Sequence, residues 1–134
     1  MIVLDLKDAR PLYEQIVERF KHLILCGALP EDEKLPSVRN LAMELSINPN
    51  TIQKAFQELD RNGIIVSGQG RGCFVAQDAD RKIRERLSSK IFEIESIAAE
   101  LACAGIEEEK VTQAVHRAYA SWRENFGEKG MANI

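Results

Sequence analysis

Long apolar runs are missing from this chain of 134 residues. Its longest uncharged stretches, such as His22 to Pro30, are about half of the roughly 20 residues that a helical membrane span requires. The opening segment, Met1-Ile-Val-Leu-Asp5-Leu-Lys7-Asp8, carries charge where an export signal needs an apolar core. Both absences predict a cytoplasmic protein with no membrane partner. Cysteine is scarce: Cys26, Cys73 and Cys103 are odd in number, far apart and free of any CxxC pattern. That excludes a disulfide framework or thiolate zinc site and predicts reduced thiols. His22 and His116 are too isolated to suggest a metal cluster, so no metal is expected. No Ser, Cys or Lys stands in a nucleophile motif, and the chain is too short for a TIM barrel or a full dinucleotide-binding enzyme. Neither catalysis nor a cofactor is expected. An excess of positive charge is missing too: Lys and Arg total 18 against 21 Asp and Glu, for a net charge of -3. Composition therefore gives no hint of a phosphate-rich partner, which would depend on Lys and Arg.

What is present is a series of amphipathic segments with clear ends. Residues 11–26 predict a helix, with Pro11 at the first helical position and Gly27 just past the end. Leu12, Ile16, Phe20, Leu23 and Ile24 recur at helical spacing. Pro30 to Lys34 reads as a polar, acidic loop. Ser37 can cap a short helix with Val38, Leu41, Ala42 and Leu45 on its apolar face. Asn48-Pro49 then signals another start, and Ile52, Ala55, Phe56 and Leu59 form the buried side of a helix running to about Asn62. Two helices so closely joined must turn sharply, as in a helix-turn-helix. Ile64-Ile65-Val66 and Cys73-Phe74-Val75 read as strands joined by the tight turn Gly68-Gln69-Gly70-Arg71-Gly72. A hairpin after such a helix pair is a wing. A phosphate-cradling glycine loop would lead from strand to helix, whereas this one joins strand to strand. Cys73 at the foot of the hairpin reads as a small strand residue, since nothing nearby marks an activated thiolate.

Composition changes near Gln77, predicting a first domain over 1–77 and a second region over 78–134. Residues 78–104 read as one charged helix with Ile83, Leu87, Ile91, Ile94, Ala98 and Leu101 on one side. Gly105 stops it, and Glu107-Glu108-Glu109 suits the first turn of a last helix bearing Val111, Val115, Ala118, Trp122 and Phe126. Two helices cannot enclose these stripes alone. They need the N-terminal domain or the same hairpin from another subunit. Tyr119, Trp122 and Phe126 read more readily as core or interface than as the lining of a small-molecule pocket.

The fold class expected is therefore mainly α with a small β-hairpin: a winged helix-turn-helix domain followed by a C-terminal helical hairpin. The exposed face of the third helix offers Asn50, Thr51, Gln53, Lys54, Gln57 and Arg61. Side-chain amides can pair bidentately with adenine, and Lys or Arg with guanine or phosphate. Arg71 at the wing tip can reach phosphate or the minor groove, and Arg39 can join a helix N-terminus in facing a phosphate. The rival expectation is a winged-helix module that binds protein and never DNA, supported only by the acidic net charge. Between residues 37 and 75, however, Arg39, Lys54, Arg61 and Arg71 outnumber Glu44, Glu58 and Asp60. A small basic face can thus sit on an acidic body.

Several spaced motifs carry a resemblance. They are Pro11-Leu12-Tyr13-x-Gln15-Ile16, Gly27-x-Leu29, Lys34-Leu35-Pro36-Ser37-x-Arg39-x-Leu41-Ala42, Asn48-Pro49-Asn50-Thr51-Ile52-x-Lys54-Ala55-Phe56-x-x-Leu59, Gly63-Ile64-Ile65 and Gly70-x-Gly72-x-Phe74-Val75. Over about residues 10–76 the chain resembles the winged-helix domain of GntR-family bacterial transcription regulators. Its short tail resembles that of the YtrA-like subfamily. The resemblance implies a homodimeric regulator, acting as a repressor on double-stranded DNA at a palindromic operator, with transporter or drug-response genes under its control. It implies DNA contacts from Ser37, Arg39, Asn50, Thr51, Gln53, Lys54 and Arg71, and from the backbone at Gly70 and Gly72. It also implies dimerisation through the tail, with Leu87, Ile91, Ile94, Leu101, Val115 and Trp122 at the interface. A small-molecule effector is expected between the C-terminal helices or where they join the wing domain. Three positions depart from the pattern: Asp32 stands where the family usually has Gly, and Pro49 and Gln53 stand where some relatives carry arginines.

Overall fold

The computed structural model describes residue 4, residues 7–68 and residues 70–126. Among the described residues, six helices and one two-stranded antiparallel sheet follow in order: α1 (Leu12–Leu25), α2 (Val38–Leu45), α3 (Pro49–Arg61), β1 (Ile65–Gly68), β2 (Gly72–Val75), α4 (Ala79–Ser88), α5 (Lys90–Cys103) and α6 (Glu108–Phe126). They form two compact units, Met1–Arg84 and Glu85–Ile134. The division falls within α4, beyond the change of composition at Gln77.

In the first unit, local signals place the helix ends. Ser37 caps α2, its hydroxyl accepting from the Asn40 N–H at 3.0 Å. The Asn48 side-chain oxygen accepts from the Asn50 N–H at 2.8 Å, and Pro49 opens α3. Each cap satisfies a donor that the helix itself leaves unpaired. Pro11 proves to be the residue before the helix, with extended backbone, rather than its first residue. Its carbonyl still accepts from the Glu14 and Gln15 N–H groups.

The expected faces of α1, α2 and α3 meet in one core. Ile16, Phe20 and Ile24 of α1 lie against Ile52, Phe56 and Leu59 of α3, with Leu41, Leu35, Ile64, Ile65 and Val75 around them. Phe20 and Phe56 pack edge to face, with ring centroids 5.6 Å apart. This arrangement aligns a ring edge with the electron-rich face of its neighbour. Gln15 is also buried, its amide donating to the Arg10 carbonyl at 3.2 Å.

Two expectations fail here. Residues 30–34 do not form a free loop. The Asp32 N–H donates to the Val75 carbonyl, the Val75 N–H to Glu33 and the Leu35 N–H to Cys73, at 2.8–2.9 Å. Lys34 and Phe74 form an antiparallel bridge, so this strap acts as a short third strand beside β2. Asp32 takes φ +65°, a left-handed conformation that glycine adopts at less cost. Nor is 78–104 one helix. Its hydrogen-bond ladder is interrupted at Ser89, where the Ser88 and Ser89 hydroxyls donate to the Glu85 and Arg86 carbonyls, each at 2.7 Å. Serine hydroxyls compete in this way with backbone donors.

The break separates the predicted stripe. Ala79 and Ile83 of α4 are buried in the first unit, where Lys82 also donates to the Gly63 carbonyl at 3.1 Å. In the second unit Leu87, Ile91 and Ile94 are exposed, and no residue of α5 is buried. Leu101 is half-buried, and Val115 and Trp122 on α6 are exposed. Phe92 and Ile97 add apolar surface that the sequence reading did not include; Phe92 is 72% exposed. An apolar groove of about 390 Å³ runs between α5 and α6, lined among others by Ile94, Leu101, Val111 and Val115. The side chain of Phe126 lies outside the described residues.

Candidate nucleic-acid interface

Three residues, Ser46, Ile47 and Asn48, turn the chain from α2 into α3. Ser46 adopts φ +55° at the end of α2, and the Ile47 N–H returns to the Ala42 carbonyl at 3.1 Å. The turn is tight because Ile52, Ala55, Phe56 and Leu59 must reach the core from one side of α3. The opposite side is thereby held outward: Asn50, Gln53, Lys54 and Gln57 are exposed, and Thr51 is half-exposed. Ser37 and Arg39 are exposed at the start of α2. α3 packs against both α2 and β1, so the helix pair and the hairpin are rigidly connected.

Not every basic residue on this side is equally available. The Arg61 guanidinium is paired with Glu58, one turn earlier, and holds the Glu58 carboxyl below its usual range. Arg61 is correspondingly raised, chiefly by that hydrogen bond. Lys54 has an unforeseen neighbour: its Nζ lies 4.0 Å from the centroid of the Tyr13 ring on α1. The negative face of the ring attracts the ammonium without neutralising it. Burial and the adjacent Glu14 carboxylate raise the Tyr13 phenol above its ordinary value. No periodicity within α3 could have revealed this contact, because Tyr13 is brought in by tertiary packing.

The wing pairs Ile65 with Val75, Val66 with Phe74, Ser67 with Cys73 and Gly68 with Gly72. The Arg71 N–H donates to the Gly68 carbonyl at 3.1 Å, closing a turn in which Gly70 and Gly72 have φ of +70° and +94°. An L side chain rarely adopts such values, so glycine is required and its backbone stays uncovered. Arg71 stands exposed between them; Gln69 lies outside the described residues. Cys73 is half-buried, with Sγ 3.7 Å from the Ser67 hydroxyl. The predicted residues fall in three groups: Ser37 and Arg39 at the start of α2, Asn50 to Lys54 on α3, and Gly70 to Gly72 on the wing. Among the described residues no group of His, Cys, Asp and Glu could hold a metal, and no helix is long and apolar enough to cross a membrane.

Known proteins share this arrangement. Residues 12–75 match the family described as bacterial regulatory proteins, gntR family. The chain is 39% identical over 112 residues to the HTH-type transcriptional repressor YtrA of Bacillus subtilis, covering 83% of this chain and 86% of that one. It superposes on the crystal structure of a transcriptional antiterminator from Listeria monocytogenes with a TM-score of 0.71 and 31% identity, over 89% of this chain and 90% of that one. With YtrA from Sulfolobus acidocaldarius, a GntR-family transcription factor, the TM-score is 0.57 at 33% identity, over 69% and 97% of the two chains. A capped helix pair, a glycine-built wing and sequence identity extending well past them lead to one conclusion: this chain belongs to the gntR family of bacterial regulatory proteins and is a DNA-binding transcription regulator of the winged helix-turn-helix type.

Proposed function

We propose that the protein is a homodimeric transcriptional repressor that binds a palindromic operator in double-stranded DNA. The observation carrying this reading is the outward face of α3, where Asn50, Gln53 and Lys54 are exposed on a helix whose other side is locked into the core. Such a helix fits the major groove, and amides and amines at its start match base edges. Ser37 and Arg39 at the start of α2 and Arg71 on the wing would hold the backbone, with Gly70 and Gly72 permitting close approach. The similarity to the B. subtilis repressor YtrA supports repression over activation. The link to transporter or drug-response genes rests on the resemblance alone.

The dimer reading rests on the second unit, whose Leu87, Ile91, Ile94, Val115 and Trp122 remain exposed in the single chain. Pairing two copies would cover them, together with Leu101. It would also set two α3 helices an integral number of turns apart, each turn about 10 base pairs. The apolar groove of about 390 Å³ between α5 and α6 is the proposed place for a small effector. An effector acting there must change DNA affinity by the same factor by which DNA changes its own.

Selection of bound duplexes from a random pool, followed by anisotropy titration at several salt concentrations, tests the main reading. A recovered palindrome bound far more tightly than a scrambled duplex is the expected result. Equal, weak binding to both would leave the winged-helix module that binds only protein as the better account.

A further inference from the structure

Lys34 is the lone cation of the strap Glu31-Asp32-Glu33-Lys34. Its bridge with Phe74 places it on the outer face of the wing. Strand alternation puts Val66, Gly68, Gly72 and Phe74 on that same face, while Ile65 and Val75 turn into the core. At its tip the outer face carries two paired residues without side chains, Gly68 and Gly72. Lys34 occupies the space over Gly72. A Cβ at Gly72 would lie 3.0 Å from Lys34 Cε and 3.8 Å from its Nζ. A Cβ at Gly68 would lie 3.4 Å from the Cβ of Arg71 and 3.4 Å from a ring carbon of Phe74, so the Phe74 ring borders that glycine. The lysine stem therefore lies over Gly72, the residue that follows Arg71, and holds its ammonium beside the hairpin. Among the described residues neither cation has an ion-pair partner, and both are exposed. Two like charges carried at one small hairpin repel, and a polyanion placed against them relieves the repulsion.

We propose that Lys34 is a second cation of the wing, contacting the DNA backbone beside Arg71. This inference rests on the DNA-binding function proposed above and adds a contact to it. An ammonium on a flexible stem is a point charge, so it anchors phosphate and does not read bases. Gly72 then has two roles: its backbone completes the turn, and its missing side chain leaves the path for Lys34.

The test uses the full chain, with the duplex recovered by selection and a scrambled duplex of the same composition as probes. Lys34→Met keeps a stem over Gly72 and removes the charge, whereas Lys34→Arg keeps a charge. Thermal melting of each variant checks that the fold is intact. Lys34→Met should weaken binding to both duplexes by a similar factor. Its plot of log affinity against log salt should be shallower by about 0.9 for each lost phosphate contact. Lys34→Arg should retain most of the wild-type slope. A wild-type slope in Lys34→Met, or a loss confined to the selected duplex, overturns the inference while leaving the proposed function standing. Wild-type protein that prefers no duplex overturns both.

Discussion

Gln53 and Arg71 occupy settings that call for different DNA contacts. Gln53 projects from a helix fixed by its buried side, so its amide can hold one orientation against one base pair. Gln53→Ala should cost about 1–3 kcal/mol on the selected operator and relax preference at a single position. Arg71 stands on a glycine turn, and Arg71→Ala should weaken all duplexes alike and flatten the salt dependence. Titrations against singly substituted operators separate the two patterns; identical behaviour would refute the assignment. Asp32 makes a prediction about stability. Its left-handed backbone costs an L residue about 1 kcal/mol, from which glycine's greater chain entropy subtracts about half. Asp32→Gly should therefore stabilise the fold by about 0.5 kcal/mol, seen as a higher urea midpoint at unchanged slope. His22 adds a pH dependence. Burial, and secondarily the Arg19 charge, hold its imidazole pKa below the ordinary value. The unfolded chain takes up a proton near pH 6.5 that the folded chain resists, so this contribution to stability is complete above that pH and declines below it. His22→Gln should flatten the decline between pH 7.5 and 5.5; a wild-type urea midpoint constant over that range would contradict the assignment.

The elements differ in how far local signals determine them. α3 was legible almost residue by residue, because Asn48 caps it, Pro49 opens it and Ile52, Ala55, Phe56 and Leu59 repeat at helical spacing. The strap was not. Its pairing joins residues 33–35 to residues 73–75, and no pattern within Glu31-Asp32-Glu33 announces a distant strand. The start of α4 depends on the same strap: Glu31 Oε1 accepts from the Asp78 N–H at 2.8 Å. Glu31→Ala would leave that donor to water, a local loss of about 1 kcal/mol. Amide exchange in the first turn of α4 should then quicken about fivefold while α1 stays protected. Equal protection in mutant and wild type would show that Ala79 and Ile83 hold the turn without Glu31. The interruption at Ser89 was also hidden, since the apolar spacing continues across it.

For the whole molecule, the contrast between the two units is the informative feature. The first encloses side chains such as Ile16, Ile52, Leu59 and Ile64 at 0% exposure. The second leaves Ile91, Phe92, Ile94 and Ile97 more than half exposed. If a second copy covers that surface, Ile94→Glu should convert the dimer to monomer in sedimentation equilibrium. It should also weaken operator binding far more than scrambled-duplex binding, because only a dimer engages both half-sites at once. Monomeric wild-type protein would remove this part of the proposal. The net charge of -3 concealed the proposed DNA-facing side because acidic residues elsewhere outweigh Arg39, Lys54 and Arg71. The amino-acid order was enough to specify the first three helices and the last, the caps of α2 and α3, the wing turn and the outward face of α3. All of these arise from interactions within a few residues or from a simple hydrophobic period. The pairing of the strap with β2, Lys34 over Gly72, Lys54 over Tyr13 and the burial of Ala79 and Ile83 came from folding alone. Each joins residues far apart in the chain, and only closure of the core brings such groups within reach.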